Sequence, residues 1–256
     1  MPTVEPWKGG IQLKLKQSPT EILPRLSTRC LIAGPSMCGK GVLMSSLLLD
    51  PAHFRGCFDH IIYCSQSAAV DDNLIPLKKY CEETLEQKEP CLYSEFPTEV
   101  LEEHLEEQLK LVAYMKRQAK KEKKKIIRGY QSCIVVDDFA DDVSVMRGKA
   151  GQILQTLAVR GRHANISLFL LVQKIRTVHP MIRNNLNHLF IFRLRSRVDL
   201  DAILDEYSAL VRAKKELEAI YKKAVASPHS FLYINLMADP PKFFKSFEAE
   251  LVPNTH

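Results

Sequence analysis

Short apolar runs recur along the chain and alternate with segments whose apolar residues are spaced three or four apart. Runs of 4–8 apolar residues bounded by turn residues are typical of buried strands, and the three-to-four spacing is typical of helices. The predicted strands are Thr28–Ala33, Phe58–Cys64, Cys133–Val136, Ser167–Val172, His188–Arg193 and, as the last strand, Ser230–Asn235. The predicted helices are Val42–Leu49, a short one between Asn73 and Lys88, Pro97 to about Lys125, Gly151–Val159 and Asp199–Ala226. This alternation predicts an α/β fold with a central, mostly parallel sheet flanked by helices.

The longest predicted helix, Pro97 to about Lys125, carries an apolar stripe and a gradient of charge. The stripe consists of Leu101, Leu105, Leu109, Val112 and Met115. Six glutamates lie near the start of the helix and its lysines lie near the end, which the helix dipole favours. The basic block Lys116–Arg128 therefore has two interpretations: a solvated helix end, or a contact with DNA.

The chain divides into three parts. Residues 1–27 are predicted to be an irregular arm followed by an edge strand, because Ile11–Lys16 alternates apolar and basic residues. Residues 28–236 are the predicted core, with the long helix inserted at about 97–127, and residues 237–256 are a predicted C-terminal tail. A length of 256 residues and a hydrophobic content of 46% suit one sizeable α/β domain.

The first predicted core strand is followed by Gly-Pro-Ser-Met-Cys-Gly-Lys-Gly at residues 34–41. A phosphate-binding (Walker A) loop reads Gly-x-x-x-x-Gly-Lys-[Ser/Thr] and points backbone N–H groups at phosphate oxygens. We expect the nucleotide to be bound by Gly34, Pro35, Ser36, Met37, Cys38, Gly39, Lys40, Gly41 and Val42. Lys40 would reach the β- and γ-phosphates. The strand–loop–helix setting supports this interpretation, and the alternative is a glycine-rich turn before a core helix.

The loop departs from the pattern at Gly41, where a Ser or Thr normally offers its hydroxyl to Mg²⁺. The next hydroxyls, those of Ser45 and Ser46, lie about one helical turn further on and are expected to point elsewhere. The metal would then be held by water, by Ser36 or by a carboxylate elsewhere in the chain.

A second nucleotide motif, of the Walker B type, follows the strand Cys133–Val136, which ends in Asp137 and Asp138. We expect Asp137 to hold Mg²⁺, directly or through water. Asp138 would orient and deprotonate the attacking water. The alternative is that two acidic residues cap a strand-to-loop turn.

The net charge of +6 is unevenly distributed. Between Val143 and Val198 there are ten basic residues and no Asp or Glu, and Lys116–Arg128 has eight basic residues against one Glu. Basic charge concentrated in this way indicates a polyanion partner or an acidic neighbouring subunit. The chain has no paired-cysteine finger and no basic zipper that would read a DNA sequence.

The seven cysteines are dispersed, without a Cys-x-x-Cys pair, which predicts reduced thiols and no zinc site. The sequence contains no run of 18 apolar residues, so we expect no membrane-spanning helix. The first seven residues lack the basic and apolar regions of a signal peptide, so we expect a protein that is not secreted.

The order of these motifs resembles that of the genome-packaging ATPases of large double-stranded DNA viruses. These are the poxvirus-type packaging ATPases and their relatives in virophages and Polinton-like elements, within the FtsK/HerA branch of the P-loop motors. The resemblance runs from about Arg29 to Arg195 and is most specific at Val136–Asp138, Gly161–Ser167 and Leu171–Gln173. It implies a RecA-like P-loop NTPase core, ATP and Mg²⁺ as cofactors, and a homo-oligomeric ring of five or six copies with ATP bound between subunits.

The same resemblance implies a role for each matching residue. Lys40 would contact the phosphates, Asp137 the Mg²⁺ and Asp138 the water. Gln173 would sense the γ-phosphate, or would be merely a hydrogen-bond donor at the end of a strand. Arg162 would be an arginine finger inserted into the neighbouring subunit's site.

The finger assignment has alternatives. Arg160 is the competing candidate, and a surface salt bridge is the other interpretation of either arginine. His163 is expected to pack or cap rather than to catalyse.

The function expected from this resemblance is an ATP-driven motor that moves double-stranded DNA into a capsid, without reading its sequence. Capsid vertex proteins are the further expected partners, and the host cytoplasm (viral factory) or nucleus, with virion association, is the expected location. Candidate DNA contacts are Arg176 and Arg183, on either side of the predicted loop Thr177–Pro180, together with Lys123 and Lys124.

Two other functions stay open. A nucleotide-binding ring or capsid-docking scaffold with little turnover is supported by Gly41. A small-molecule kinase of the same broad fold is disfavoured because no compelling lid pattern is present.

Overall fold

A computed structural model of the chain describes residues 10–139, 145 and 147–252. Its strands are β1 (Gln12–Lys14), β2 (Arg29–Ala33), β3 (His60–Ser65), β4 (Leu92–Tyr93), β5 (Ile126–Arg128), β6 (Ser132–Asp137), β7 (Ile166–Val172), β8 (His188–Phe192), β9 (Phe231–Asn235), β10 (Lys242–Lys245) and β11 (Ala249–Glu250). Its α-helices are α1 (Lys40–Leu49), α2 (Ile75–Lys79), α3 (Thr98–Lys121), α4 (Gly148–Arg160), α5 (Pro180–Arg183), α6 (Arg197–Tyr207) and α7 (Lys214–Ala224). A π-helical turn, Tyr80–Thr84, extends α2, and short 3-10 turns connect several elements.

Nine of these strands form one sheet in the order β11-β10-β9-β8-β2-β7-β6-β3-β4. The strands from β8 to β4 are parallel, and β9, β10 and β11 add to the β8 edge in antiparallel pairs. All seven residues of β7 are buried, as expected for a central parallel strand covered on both faces. The predicted α/β fold with a mostly parallel sheet is confirmed.

Helices cover both faces of the sheet, and alternate residues of each strand point into separate cores. On β2, Leu31 packs in the core beneath the long helix α3, α4 and the C-terminal helices, whereas Ile32 packs in the core beneath α1 and α2. This period of two is the geometry of a strand. In α3, Leu101, Leu105 and Val112 of the predicted stripe are buried.

The N-terminal strand has a partner that the sequence did not indicate. Gln12–Lys14 pairs in parallel with β5, Gln12 opposite Ile126, in a two-stranded sheet separate from the central one. The basic block Lys116–Arg128 is therefore divided between the end of α3, a turn and β5. Apart from Gly10, the expected arm at residues 1–10 lies outside the described residues.

The prediction of one helix over Asp199–Ala226 is wrong. The segment forms two helices, α6 and α7, separated by a 3-10 turn at Ser208–Leu210 and by extended residues Val211 and Ala213. The segment contains no Gly or Pro, and its apolar spacing continues through the break, so the sequence predicted one helix instead of two.

Ser230–Asn235 is also not the last strand. The hairpin of β10 and β11 follows β9 and extends the sheet, with Phe243 and Phe244 buried on its two faces. These strands have four and two residues, too short for an apolar run to reveal them. Among the residues described, no helix is long and apolar enough to cross a membrane.

Candidate nucleotide-binding site

The phosphate-loop sequence lies where β2 ends and α1 begins. β2 is flanked by β7 and β8, and β6 follows on the other side of β7. The backbone N–H of Gly34 donates to the carbonyl of Val172, at the end of β7, over 3.0 Å. The carboxyl ends of parallel strands share one edge of a sheet, so the loop and the residues that follow β6 and β7 are neighbours.

The backbone of the loop requires its glycines. Gly39 has φ of 110°, in the left-handed region that side chains disfavour. A Cβ on Gly34 would lie 2.6 Å from the Sγ of Cys38 and 2.8 Å from the Cβ of Phe192. Gly34 therefore allows a close approach between the loop and β8.

Lys40 is held inside the loop. Its Nζ donates to the carbonyl oxygens of Gly34 (2.8 Å) and Pro35 (3.2 Å), and the residue is only 7% exposed. The ammonium group is thus placed at the centre of the turn, where a bound phosphate would compete with the carbonyls for it.

The position of Gly41 has room for a side chain. A Cβ there would meet no heavy atom within 4 Å among the residues described. A Ser or Thr side chain would therefore fit at position 41 without a clash, so packing does not explain why a glycine stands there.

Ser45 and Ser46 line the same cavity as the loop, and the expectation that their hydroxyls point elsewhere stays a prediction. Ser45 is four residues after Gly41 and shares its face of α1. Its Oγ is buried and has no hydrogen-bond partner within the described part of the chain, whereas the Oγ of Ser46 is 3.3 Å from His53 Nδ1.

The paired carboxylates lie beside the loop. Asp137 ends β6, and its Oδ2 accepts a hydrogen bond from the hydroxyl of Tyr63 on β3 over 3.2 Å. Asp138 has φ of 61°, and its N–H donates to the carbonyl of Leu171. Gln173 Nε2 donates to Asp138 Oδ1 over 3.5 Å. The positive φ of Asp138 is a strained backbone conformation, and such strain is common at functional sites, where the surrounding structure sustains it.

Burial controls the charge state of this pair. It raises the pKa of Asp137 to about 6, with the charge of Asp138 adding to the effect and the Tyr63 hydroxyl and Lys40 opposing it. Burial and then Asp137 raise the pKa of Tyr63 well above its usual value, so Tyr63 stays protonated and acts as the donor. A divalent cation at Asp137 would favour the ionised carboxylate.

The site fits a metal that arrives with the nucleotide. No group of three or more His, Cys, Asp or Glu side chains in residues 10–139, 145 and 147–252 forms a complete metal cage. Mg²⁺ bound by one or two carboxylates takes its other ligands from phosphates and water. Asp137 would hold such an ion, and Asp138 and Ser36 line the same cavity.

These residues share an open cavity of about 790 Å³ that extends to both sides of the loop. Sequence reasoning missed many of its lining residues, because they are scattered over several strands, the segments that follow them, the segment after α1 and the unpredicted hairpin. On the side of the acids these are Tyr63, Ser67, Asp71 and Asn73, and on the other side they are His53, Phe192, His229, Phe231 and Phe247. The only sequence signal was that several of them end predicted strands.

The structure places Arg162 far from this cavity. It is exposed, in the 3-10 turn Gly161–Ala164 that precedes β7, and its Nε donates to His163 Nε2 over 3.4 Å. The site lies at the other end of β7, and seven residues of strand span roughly 20 Å. Arg160, the last residue of α4, is exposed as well.

Arg183 is engaged within the fold. Its Nε is 2.9 Å from Glu206 Oε1, its Nη1 donates to the carbonyl of Val178 over 2.8 Å, and its side chain is only 19% exposed. The sequence had suggested a DNA contact, but the guanidinium group is occupied in joining α5 to α6. The expected loop Thr177–Pro180 lies between a 3-10 turn and α5.

The other candidate DNA contacts do not form one surface. Arg176 is exposed after β7, on the edge of the sheet that holds the cavity. Lys123 and Lys124 are exposed after α3, which returns the chain to the start of β6 at the opposite edge. Lys124 pairs with Glu122 at 2.8 Å.

The sequence profile of the family described as Poxvirus A32 protein matches residues 23–227. An uncharacterised protein, 075L, of Invertebrate iridescent virus 6 is 27% identical over 146 residues. That alignment covers 57% of this chain and 54% of the viral protein, so it spans about half of the relative's length.

Solved structures share the fold. The DNA-packaging ATPase B204 from Sulfolobus turreted icosahedral virus superposes with a TM-score of 0.52 at 18% identity, over 86% of this chain and 98% of that one. The pCW3 conjugation coupling protein TcpA, in its monomer form with ATPγS, superposes with a TM-score of 0.56 at 18% identity, over 87% of this chain and 60% of that one. The likeness shows that the sheet and its helices have the fold of P-loop ATPases.

Proposed function

The chain belongs to the poxvirus A32 protein family, the poxvirus-type packaging ATPases, and we propose that it is an ATP-hydrolysing motor that moves double-stranded DNA into a viral capsid. The observation that carries this proposal is a single cavity that contains Lys40 of the phosphate loop together with Asp137 and Asp138. Phosphate binding and water activation need these groups within reach of one another.

ATP binding would use the loop as it stands. Backbone N–H groups of residues 36–41 would surround the phosphates, and the Lys40 ammonium would exchange the carbonyls of Gly34 and Pro35 for phosphate oxygens. Mg²⁺, when bound with ATP, would neutralise charge that develops on the phosphates. Asp137 would hold that ion, directly or through water.

Hydrolysis would use Asp138 as the base. Its backbone is fixed by the N–H bond to Leu171, and Gln173 donates to its carboxylate, so the position of the base is set before substrate binds. Gln173 would gain a hydrogen bond to the γ-phosphate and lose it after hydrolysis. This would give the chain a way to distinguish ATP from ADP.

We assign the arginine finger to Arg162, acting in a neighbouring subunit of a ring of five or six copies. Arg162 and Asp138 lie at opposite ends of β7, so Arg162 cannot complete the site of its own chain. A finger contributed by the neighbour makes hydrolysis depend on assembly and is worth roughly 10³ to 10⁵ in rate.

The proposed partner is double-stranded DNA, gripped through its phosphates without sequence recognition. Arg176 on one edge of the sheet and Lys123 and Lys124 on the other are exposed and positively charged. Binding of this kind should weaken steeply with salt. We also propose capsid vertex proteins as partners. The proposed location is the host cytoplasm or nucleus, with association with the virion.

The test is Mg²⁺-dependent ATP hydrolysis at several protein concentrations, with and without double-stranded DNA, alongside Asp138→Asn. Turnover that rises with protein concentration and with DNA, and disappears in the variant, supports the motor. ATP binding without hydrolysis under every condition contradicts it.

That negative outcome would favour a second candidate, a nucleotide-binding ring or capsid-docking scaffold with little turnover. The observation that favours it is Gly41, which leaves the loop without its usual metal-binding hydroxyl.

A further inference from the structure

We infer that the aromatic side of the cavity binds the nucleotide base and selects adenine over guanine through the side chains of His229 and His53. We call this side the base arm and define it as His53, Phe192, His229, Phe231 and Phe247. The inference deepens the proposed function and rests on it, since it assumes that the phosphate loop holds the phosphates.

The direction of the bound nucleotide follows from the two sides of the cavity. Asp137 and Asp138 lie on one side of the loop, so the γ-phosphate and its metal belong there. The base arm begins directly against the other end of the loop: a Cβ on Gly39 would lie 3.6 Å from both His229 Nδ1 and Phe192 Cε1. A nucleotide stretched along the loop therefore carries its base into the base arm.

The rings of the base arm form a continuous apolar wall. Phe192 and Phe231 are nearly fully buried and lie 5.2 Å apart, and Phe247 packs on Phe231 at 5.3 Å with its plane almost perpendicular. His53 continues the wall, 5.7 Å from Phe247. Phe247 and His53 are only half-buried, so part of each ring remains open to a ligand. Aromatic side chains of this kind bind bases by stacking.

The hydrogen bonds of the two histidines determine which base edge fits. His229 Nδ1 is 3.1 Å from the carbonyl oxygen of Cys38, and His53 Nδ1 is 3.1 Å from the carbonyl oxygen of Ser46. A carbonyl oxygen only accepts, so in each neutral ring Nδ1 carries the hydrogen and Nε2 is left as an acceptor.

Acceptors at these positions discriminate between the purines. Adenine has a donating amino group on C6, whereas guanine has an accepting carbonyl there. The amino group of adenine can donate to Nε2 of a histidine, and the carbonyl of guanine would face it acceptor to acceptor. The base arm therefore favours ATP over GTP.

The residues that carry this selection lie mostly beyond the region that defines the family. The family profile ends at residue 227, whereas His229, Phe231 and Phe247 follow it. Phe247 is in the turn between β10 and β11, so the C-terminal hairpin completes the base arm.

The test compares the binding of ATPγS, GTPγS and inorganic tripolyphosphate to the full chain by isothermal titration calorimetry. Tripolyphosphate occupies the phosphate loop without offering a base. We expect the unaltered chain to prefer ATPγS over GTPγS. Phe247→Ala should weaken ATPγS binding roughly tenfold, the loss of one stacking contact, and leave tripolyphosphate binding unchanged.

His229→Asn tests the hydrogen bond. Asn tolerates the left-handed backbone at this position, φ 58°, but is too short to reach the base. It should reduce the preference for ATPγS over GTPγS several-fold, and this ratio cancels any common change in phosphate binding caused by the lost bond to the Cys38 carbonyl. Val252→Ala, at an exposed apolar residue outside the cavity, is the matched control for truncation near the C-terminus.

The outcomes separate this inference from the proposed function. If the unaltered chain binds both nucleotides equally, or if Phe247→Ala weakens tripolyphosphate as much as ATPγS, the base arm is overturned while the phosphate loop stands. If the unaltered chain binds neither nucleotide nor tripolyphosphate, the proposed function itself fails. Thermal unfolding of each variant shows whether it has kept its fold.

Discussion

The hydroxyl of Tyr63 donates to the carboxylate of Asp137 over 3.2 Å, and this bond joins two neighbouring strands of the sheet at the centre of the site. The hydrogen bond favours the ionised carboxylate, but burial and Asp138 outweigh it, so the pKa of Asp137 is raised to about 6. The proposed metal ligand thus changes charge close to physiological pH.

Tyr63→Phe removes the hydrogen bond that favours the ionised carboxylate and should raise the pKa of Asp137 further. The acid limb of Mg²⁺-dependent ATP hydrolysis should then move to higher pH, by about half to one unit for a hydrogen bond of about 1 kcal/mol. The measurement is the pH profile of hydrolysis, with the exposed Tyr114→Phe as the control. An unmoved profile would show that the hydroxyl does not act on Asp137.

Asp137→Asn should stabilise the nucleotide-free protein while abolishing hydrolysis. Folding raises the pKa of Asp137 from 3.8 to about 6, so the folded state binds more protons. Stability is therefore lost as pH rises from about 4 to 6, and the full cost persists at higher pH. Replacing the carboxylate should recover about 3 kcal/mol at pH 8 and much less at pH 4.

Chemical denaturation at both pH values, without Mg²⁺ or nucleotide, measures this difference. Asp72→Asn, at an exposed carboxylate on the same edge of the sheet, is the control. The same gain at pH 4 as at pH 8 would mean that the charge of Asp137 is not what costs stability.

Gly41→Ser should lower the Mg²⁺ concentration needed for half-maximal hydrolysis and raise turnover several-fold. A side chain fits there because no described heavy atom lies within 4 Å of its Cβ. The hydroxyl would then stand where phosphate loops place their metal ligand. Gly41→Ala adds the same Cβ without the hydroxyl and is the matched control; equal Mg²⁺ titrations for the two variants would contradict the prediction.

Arg162→Ala should reduce hydrolysis by roughly 10³-fold or more without weakening ATP binding. Because we propose that Arg162 acts in the neighbour's site, a mixture of Arg162→Ala and Asp138→Asn chains should recover part of the activity that each lacks alone. Arg160→Ala is the comparison. Mixed chains that stay inactive would argue against a shared site, and a larger loss in Arg160→Ala would move the finger there.

The basic residues should separate into structural and DNA-contacting groups. Arg183→Ala should cost about 1 kcal/mol of stability, since it breaks a largely buried pair with Glu206, and leave the salt dependence of DNA binding unchanged. The double variant Lys123→Ala/Lys124→Ala should instead reduce the slope of log K against log salt by about one to two. Fluorescence anisotropy over a salt series measures the salt dependence of DNA binding for both variants. A reduced slope in Arg183→Ala would contradict the assignment of Arg183 to the structural group.

The sequence alone was sufficient for the parts of the site that local chain geometry dictates. Gly34 and Gly39 allow the turn of the phosphate loop, apolar runs on either side specify a strand and a helix, and Asp137 and Asp138 come directly after a buried strand. Each of these features depends on residues within about ten positions of one another. Their meeting followed from one rule, that parallel strands end at the same edge of a sheet.

Only the tertiary structure decided which distant residues share a surface. The period of an apolar pattern states which face of an element is buried, but not which element packs against it. Arg183 and Arg176 are alike in sequence, yet the fold buries one against Glu206 and exposes the other. His53 and Phe247, nearly two hundred positions apart, meet because β8 lies beside β2 and the C-terminal hairpin extends that side of the sheet. Strand order is set by long-range packing, which no local pattern encodes.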